Sequence, residues 1–212
     1  MPHPTKPAIS PAATSSPAAH PTAAVAAAPL ATDQSPSGRT AGTAVAIQGG
    51  VYNFGAVNHA HEYPDGSVDA HLHAHVYHEG TAKKGANNVA SLLMKTLVSE
   101  NIVREGEIGG EFNVIFDNCT GQNKNNTVLK LLVYLAEVGY FKKVNFIFLI
   151  VGHTKNAADS LFNALKMLYH NENIYTMEQL LKVLDSSETV SVHEAKTGDF
   201  LDYNSIFNCL RQ

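Results

Sequence analysis

Two short apolar runs, Phe112–Phe116 and Val144–Val151, constrain this chain most, because each is followed by a polar loop and then by a stretch with helical periodicity. Thr127–Val138 puts Val128, Leu131, Leu132 and Leu135 on one face. Ala157–His170 turns Leu161, Phe162, Leu165 and Leu168 inward in the same way. Strands joined through a helix run parallel, since the crossover returns the chain to the edge where it started. The spacing therefore predicts two neighbouring buried strands with helices packed on them, and Gly139 as the stop of the first helix.

Upstream, Val51–Val57 and His71–His78 alternate as strands do, and Pro64-Asp65-Gly66 between them is a turn signal. They read as an antiparallel hairpin. A helix follows from Asn87 to Ser99, with Val89, Leu92, Leu93, Thr96 and Leu97 on one face and Asn87 or Asn88 as its cap. Farther on, Thr176 and Gln179 form a capping box for a helix over Met177–Leu184. Val190–His193 reads as an edge strand and Tyr203–Leu210 as a final helix. Antiparallel strands first and helix–strand units later predict an α/β fold: a mixed sheet with helices on both faces, formed by residues 47–212. Residues 1–46 are rich in Ala, Pro, Ser and Thr, bury too little to offset their entropy, and are expected to be a disordered tail.

Charge narrows the partners. Residues 1–46 hold only Lys6, Arg39 and Asp33, which leaves thirteen of the 15 cations and eighteen of the 19 anions in the rest. Attraction to a phosphate backbone must therefore be local. Cys119 and Cys209 are the only cysteines, a count that fits a reduced intracellular setting, nuclear or cytoplasmic. No stretch approaches the roughly 20 apolar residues of a membrane span, so no membrane partner is expected.

The densest polar cluster, Asp117 to Asn126, directly follows the strand Phe112–Phe116. A second cluster, Gly152 to Asn156, follows the next strand, and Asp159 opens the helix after it. Ligands of α/β proteins bind outside the carboxyl ends of the strands, where both acids would lie. Two carboxylates there suit shared divalent ions that clamp the attacking and leaving oxygens of a phosphodiester. The rival reading makes both Asp residues ordinary loop and helix-start residues.

The strings YNFG (52–55), KKGANNV (83–89), FDNCTGQNKNN (116–126), FIFLIVGHTKN (146–156) with Asp159, and SLFNALKMLYH (160–170) resemble a transposase-like family of mobile-element-derived eukaryotic proteins, otherwise described as a domain of unknown function. That family is similar to ribonuclease H-like transposases. The resemblance implies metal-dependent DNA cleavage and strand transfer, with Mg²⁺ or Mn²⁺ held by Asp117 and Asp159. It implies His153 as a further catalytic residue, and Asn118, Gln122, Asn123, Lys124 and Lys155 as contacts to the DNA. Such enzymes also need an Asp on a leading strand ahead of Val51. Here that region holds only Asp33, so the first strand is expected to be missing and turnover with it. A non-catalytic module binding nucleic acid or protein is the alternative.

Three other readings compete. His71, His73 and His75 share one side of their strand, and with His59 or His61 could hold Zn²⁺ or Ni²⁺. The expectation preferred over it is a polar, solvent-facing side of an edge hairpin. Lys124 is followed by Asn125 and lacks the preceding Gly of a phosphate loop, which rejects that motif. Cys119 with His153 as a thiol–imidazole pair lacks a separate orienting acid.

Overall fold

A computed structural model describes residues 22–28, 50–117, 121–149, 157–170 and 172–209. Six strands form one sheet in the order β5-β4-β1-β2-β3-β6. These are β1 (Thr22–Ala28), β2 (Val51–Glu62), β3 (Val68–His78), β4 (Gly109–Phe116), β5 (Phe141–Phe148) and β6 (Val190–Glu194). β2 is antiparallel to β1 and β3, whereas β4 is parallel to β1 and β5, and β6 is parallel to β3. Helices α1 (Ala86–Ser99), α2 (Asn126–Glu137), α3 (Ala157–Tyr169), α4 (Met177–Leu184) and α5 (Tyr203–Cys209) complete the fold.

The alternation of β3 sorts the core into two layers. Leu72, Ala74 and Val76 face one side, where they pack with Leu165 of α3 and with Leu180 and Leu184 of α4. Phe54, Ala56 and Tyr77 face the other, against Leu92, Leu93 and Leu97 of α1 and Leu131 and Leu135 of α2. The mixed sheet with flanking helices is thus the one expected. No helix among the described residues is long and apolar enough to cross a membrane.

The expectation of a missing first strand is corrected. Thr22–Ala28, inside the segment read as a tail, forms a strand in the middle of the sheet. Ala24 is matched with Val57 of β2 on one side and with Ile115 of β4 on the other. Without β1, the facing edges of β2 and β4 would carry unpaired backbone groups in the centre of the fold. That demand for partners outweighs the low strand preference of alanine. The remainder of residues 1–49 lies outside the described residues.

Two smaller corrections follow from tertiary position. The run Val144–Val151 was expected to be buried, but β5 starts at Phe141 and is an outer strand, with Phe146 and Ile147 exposed at 44% and 50%. The α1 cap is Gly85, without a side-chain hydrogen bond, in place of Asn87 or Asn88. The capping box of α4 and the strand β6 form as predicted. Gly139 also ends α2 as expected: its φ is 88°, its N–H donates to Ala136 O, and Tyr140 N–H donates to Leu135 O.

Helix α3 approaches the sheet at a bare position. A Cβ placed on Gly55 would lie 2.0 Å from Cζ of Phe162. Gly55→Ala is therefore expected to displace that ring and destabilise by about 1–3 kcal/mol, read as the shift in a urea midpoint. The loss should shrink when Phe162→Ala has already removed the ring. Equal losses in both backgrounds would contradict the contact.

Candidate functional site

The register of the sheet decides which motifs meet. β4 and β5 end in parallel at Phe116 and Phe148, and β2 begins beside the end of β1, where Ala28 is matched with Asn53. Asp117 therefore shares one sheet edge with the start of β2 and the end of β3. A cleft at this edge is lined by Tyr52, Asn53, Tyr77, Lys84, Asn88 and Gln122. Lys84 Nζ stands 4.4 Å above the Tyr52 ring, and Lys124 Nζ stands 5.6 Å from the Phe148 ring.

The loop after β4 is organised by its amides. Asn123 Nδ2 donates to Asp117 Oδ1, and Asn125 Nδ2 donates to Gln122 O. Asn125 Oδ1 accepts from the N–H groups of Thr127 and Val128 and so caps α2. The buried Asn53 side chain and Oδ1 of Asn123 have no hydrogen-bond partner among the described residues. Such orphans are rare, and Asn53 lies in the lining of the cleft.

Of the residues expected at this site, Asn123 meets Asp117, Gln122 lines the cleft and Lys124 lies near Phe148. Asp159 lies in the first turn of α3, and its side chain is outside the described residues, so the paired-acid geometry is too. Asn118, Cys119, His153 and Lys155 also fall outside them. β1 reads Thr-Ala-Ala-Val-Ala-Ala-Ala, so the strand beside Asp117 carries no acid.

A second constellation stands at the other end of the hairpin. His71, His73 and His75 are 5%, 4% and 1% exposed, because α1 covers that face and β6 covers the flank of β3. The expected solvent-facing row on an edge hairpin is corrected accordingly. His59 is not part of this group; His61, brought round by a bulge in β2 after Asn58, stacks on His71 at 4.2 Å between centroids. His73 stacks on His193 of β6, with Nδ1 3.3 Å from the partner's Nε2. His71 contacts the Tyr63 hydroxyl at 3.0 Å and Ser191 Oγ at 2.8 Å, while His75 Nε2 meets Thr96 Oγ1 at 2.8 Å.

Glu100, which sequence reasoning missed, closes the group. It is the C-cap of α1, fixed there by a left-handed Asn101 at φ 53° and by Ile102 N–H donating to Leu97 O. Its Oε2 lies 2.8 Å from His61 Nδ1 and accepts from Asn58 Nδ2 at 2.7 Å, while its Oε1 lies 2.8 Å from His73 Nε2. Burial raises the Glu100 pKa, but the contacts with His73, His61 and Asn58 outweigh it and hold the carboxyl well below its usual range. The signal in the sequence was an acid directly after a helical stretch that ends at Ser99, with nothing to tie it to the hairpin.

The family profile described as Domain of unknown function (DUF7869) matches residues 52–211. No curated protein and no solved structure matches the chain.

Proposed function

The chain belongs to the family described as Domain of unknown function (DUF7869), and on that footing we propose that it is a ribonuclease H-like domain of transposase ancestry that keeps its sheet without strand-cleaving turnover. The observation that carries this reading is the neighbourhood of Asp117. It directly follows β4, a strand parallel to β1 in the middle of the sheet, and β1 runs antiparallel to β2 of the hairpin. The resemblance to ribonuclease H-like transposases implies a hairpin at the sheet edge, an acid on the opening strand and an acid ending the fourth strand, and the place of Asp117 after β4 supports that reading.

In paired-metal chemistry the acid on the first strand bridges both ions, and one carboxylate cannot replace it. The position beside Asp117 is one residue beyond the matched pair Val25 and Phe116, and it is Ala26. Asp117, with Mg²⁺ or Mn²⁺ and Asp159, would retain at most a weakened cation site. Gln122, Asn123 and Lys124 supply polar contacts suited to a DNA backbone.

Incubation of the chain with single- and double-stranded DNA in Mn²⁺ is expected to give no cleavage above the protein-free rate. Ala26→Asp is expected to introduce Mn²⁺-dependent nicking that Asp117→Ala removes again. Cleavage by the unaltered chain would overturn the inactive assignment, and an Ala26→Asp chain that folds normally yet never nicks would count against the ancestry.

A further inference from the structure

We propose that His61, His73 and Glu100 form a binding site for a single transition-metal dication of the Zn²⁺ class, at the end of the sheet opposite Asp117. One ligand atom from each residue lies within 4.8 Å of the other two. Zn²⁺ held at about 2.0–2.1 Å by two imidazoles and a carboxylate needs its donors roughly 3.3 Å apart. Reaching that spacing opens the 2.8 Å contacts, which go to separate oxygens of Glu100, and draws in the donors that stand up to 4.8 Å apart.

Two features favour a cation here over a closed hydrogen-bond network. The first is His73, which is 4% exposed and whose Nε2 makes no hydrogen bond although Glu100 Oε1 is 2.8 Å away. A buried imidazole nitrogen and a carboxylate oxygen at that separation can share a cation between them. The second is the place of Glu100. A carboxylate at the C-terminal end of a helix opposes the negative end of the helix dipole, and the last turn of α1 holds no basic residue. A dication would offset both.

The surroundings meet what a metal ligand needs. Asn58 fixes one Glu100 oxygen, and Nδ1 of His73 faces Nε2 of His193, which can accept its proton and leave Nε2 of His73 free to ligate. His71 stacks on His61 and holds its ring plane. Three protein ligands leave one position for water or another small ligand, the arrangement of an open site. Separation from the Asp117 edge is substantial. Asn53 and His61 are eight residues apart along β2, roughly 26 Å at about 3.3 Å per residue.

The test is metal uptake by the full chain, free of any histidine tag and stripped with a chelator. Titration with Zn²⁺ is expected to reach one ion per chain, and Co²⁺ to give the visible absorption of a four-coordinate site. Glu100→Gln keeps the shape and His61→Asn changes a partly exposed side chain. Each should weaken Zn²⁺ binding about 100-fold or more, and Asn58→Ala about tenfold. His59→Ala should leave it unchanged. Thermal melts of the stripped variants separate loss of the site from loss of the fold. No stoichiometric uptake, or uptake indifferent to both Glu100→Gln and His61→Asn in folded protein, would overturn the site.

Discussion

Val25→Pro is expected to disable the fold, although a reading of the sequence alone places that substitution in a dispensable tail. Val25 lies between Ala56 of β2 and Phe116 of β4, so its strand is paired on both sides. Proline there removes a ladder donor and leaves an acceptor unmatched, at a cost on the order of 3 kcal/mol. Deleting residues 22–28 should do more, because it leaves β2 and β4 with open facing edges in the centre of the sheet. Urea unfolding followed by far-ultraviolet circular dichroism reads both effects. The expected pattern is a much lower midpoint for Val25→Pro, and loss of cooperativity for the deletion. A midpoint and slope equal to those of the unaltered chain would show that β1 contributes nothing to the sheet.

The second large effect is acid sensitivity of the metal-free chain. Burial, with the neighbouring His193, His73 and Lys95, pushes His75 down from its ordinary 6.5 to about 3, against a small opposing pull from Asp199. Burial also pushes His71 down to about 4, with His61, His73 and His193 adding to it and Glu100 opposing. A folded state that keeps these rings neutral is most stable above pH 6.5, where the unfolded chain is neutral as well. As the pH falls from 6.5 towards 4, the unfolded chain takes up protons that the folded chain refuses, and stability is lost. One pKa unit is worth about 1.4 kcal/mol, so the two rings together cost several kcal/mol, less than their sum because both shifts share the neighbours His73 and His193. Glu100 acts in the same direction below its ordinary 4.5, since its depressed pKa stabilises the fold only while it is ionised. Urea midpoints at pH 7.5, 6 and 5 should fall steeply, and His75→Gln should flatten the slope. A midpoint that is level across this range would contradict the buried, neutral state of the rings.

These effects show where local sequence stops informing. The helices α1 to α4 and the hairpin β2–β3 were legible because each carries its own period, turn or cap: Leu131 and Leu135 four apart, Pro64-Asp65-Gly66, Thr176 with Gln179. Asp117 was legible as a candidate because it follows an apolar strand directly. Glu100 was not, since its role arises from a helix end meeting a bulged strand 39 residues away. β1 was not either, because alanine-rich chain has weak preferences of its own.

By itself, then, the sequence determined which segments apart from β1 would be strands or helices and which loop would carry the polar cluster, since periodicity and capping are properties of neighbouring residues. Only the tertiary structure decided that an alanine-rich segment would complete the sheet's centre, because backbone groups on β2 and β4 require partners from distant chain. It likewise decided that a row of histidines would be covered and joined to a glutamate. Whether a strand face is wet or buried depends on what packs upon it, which alternation along that strand does not encode.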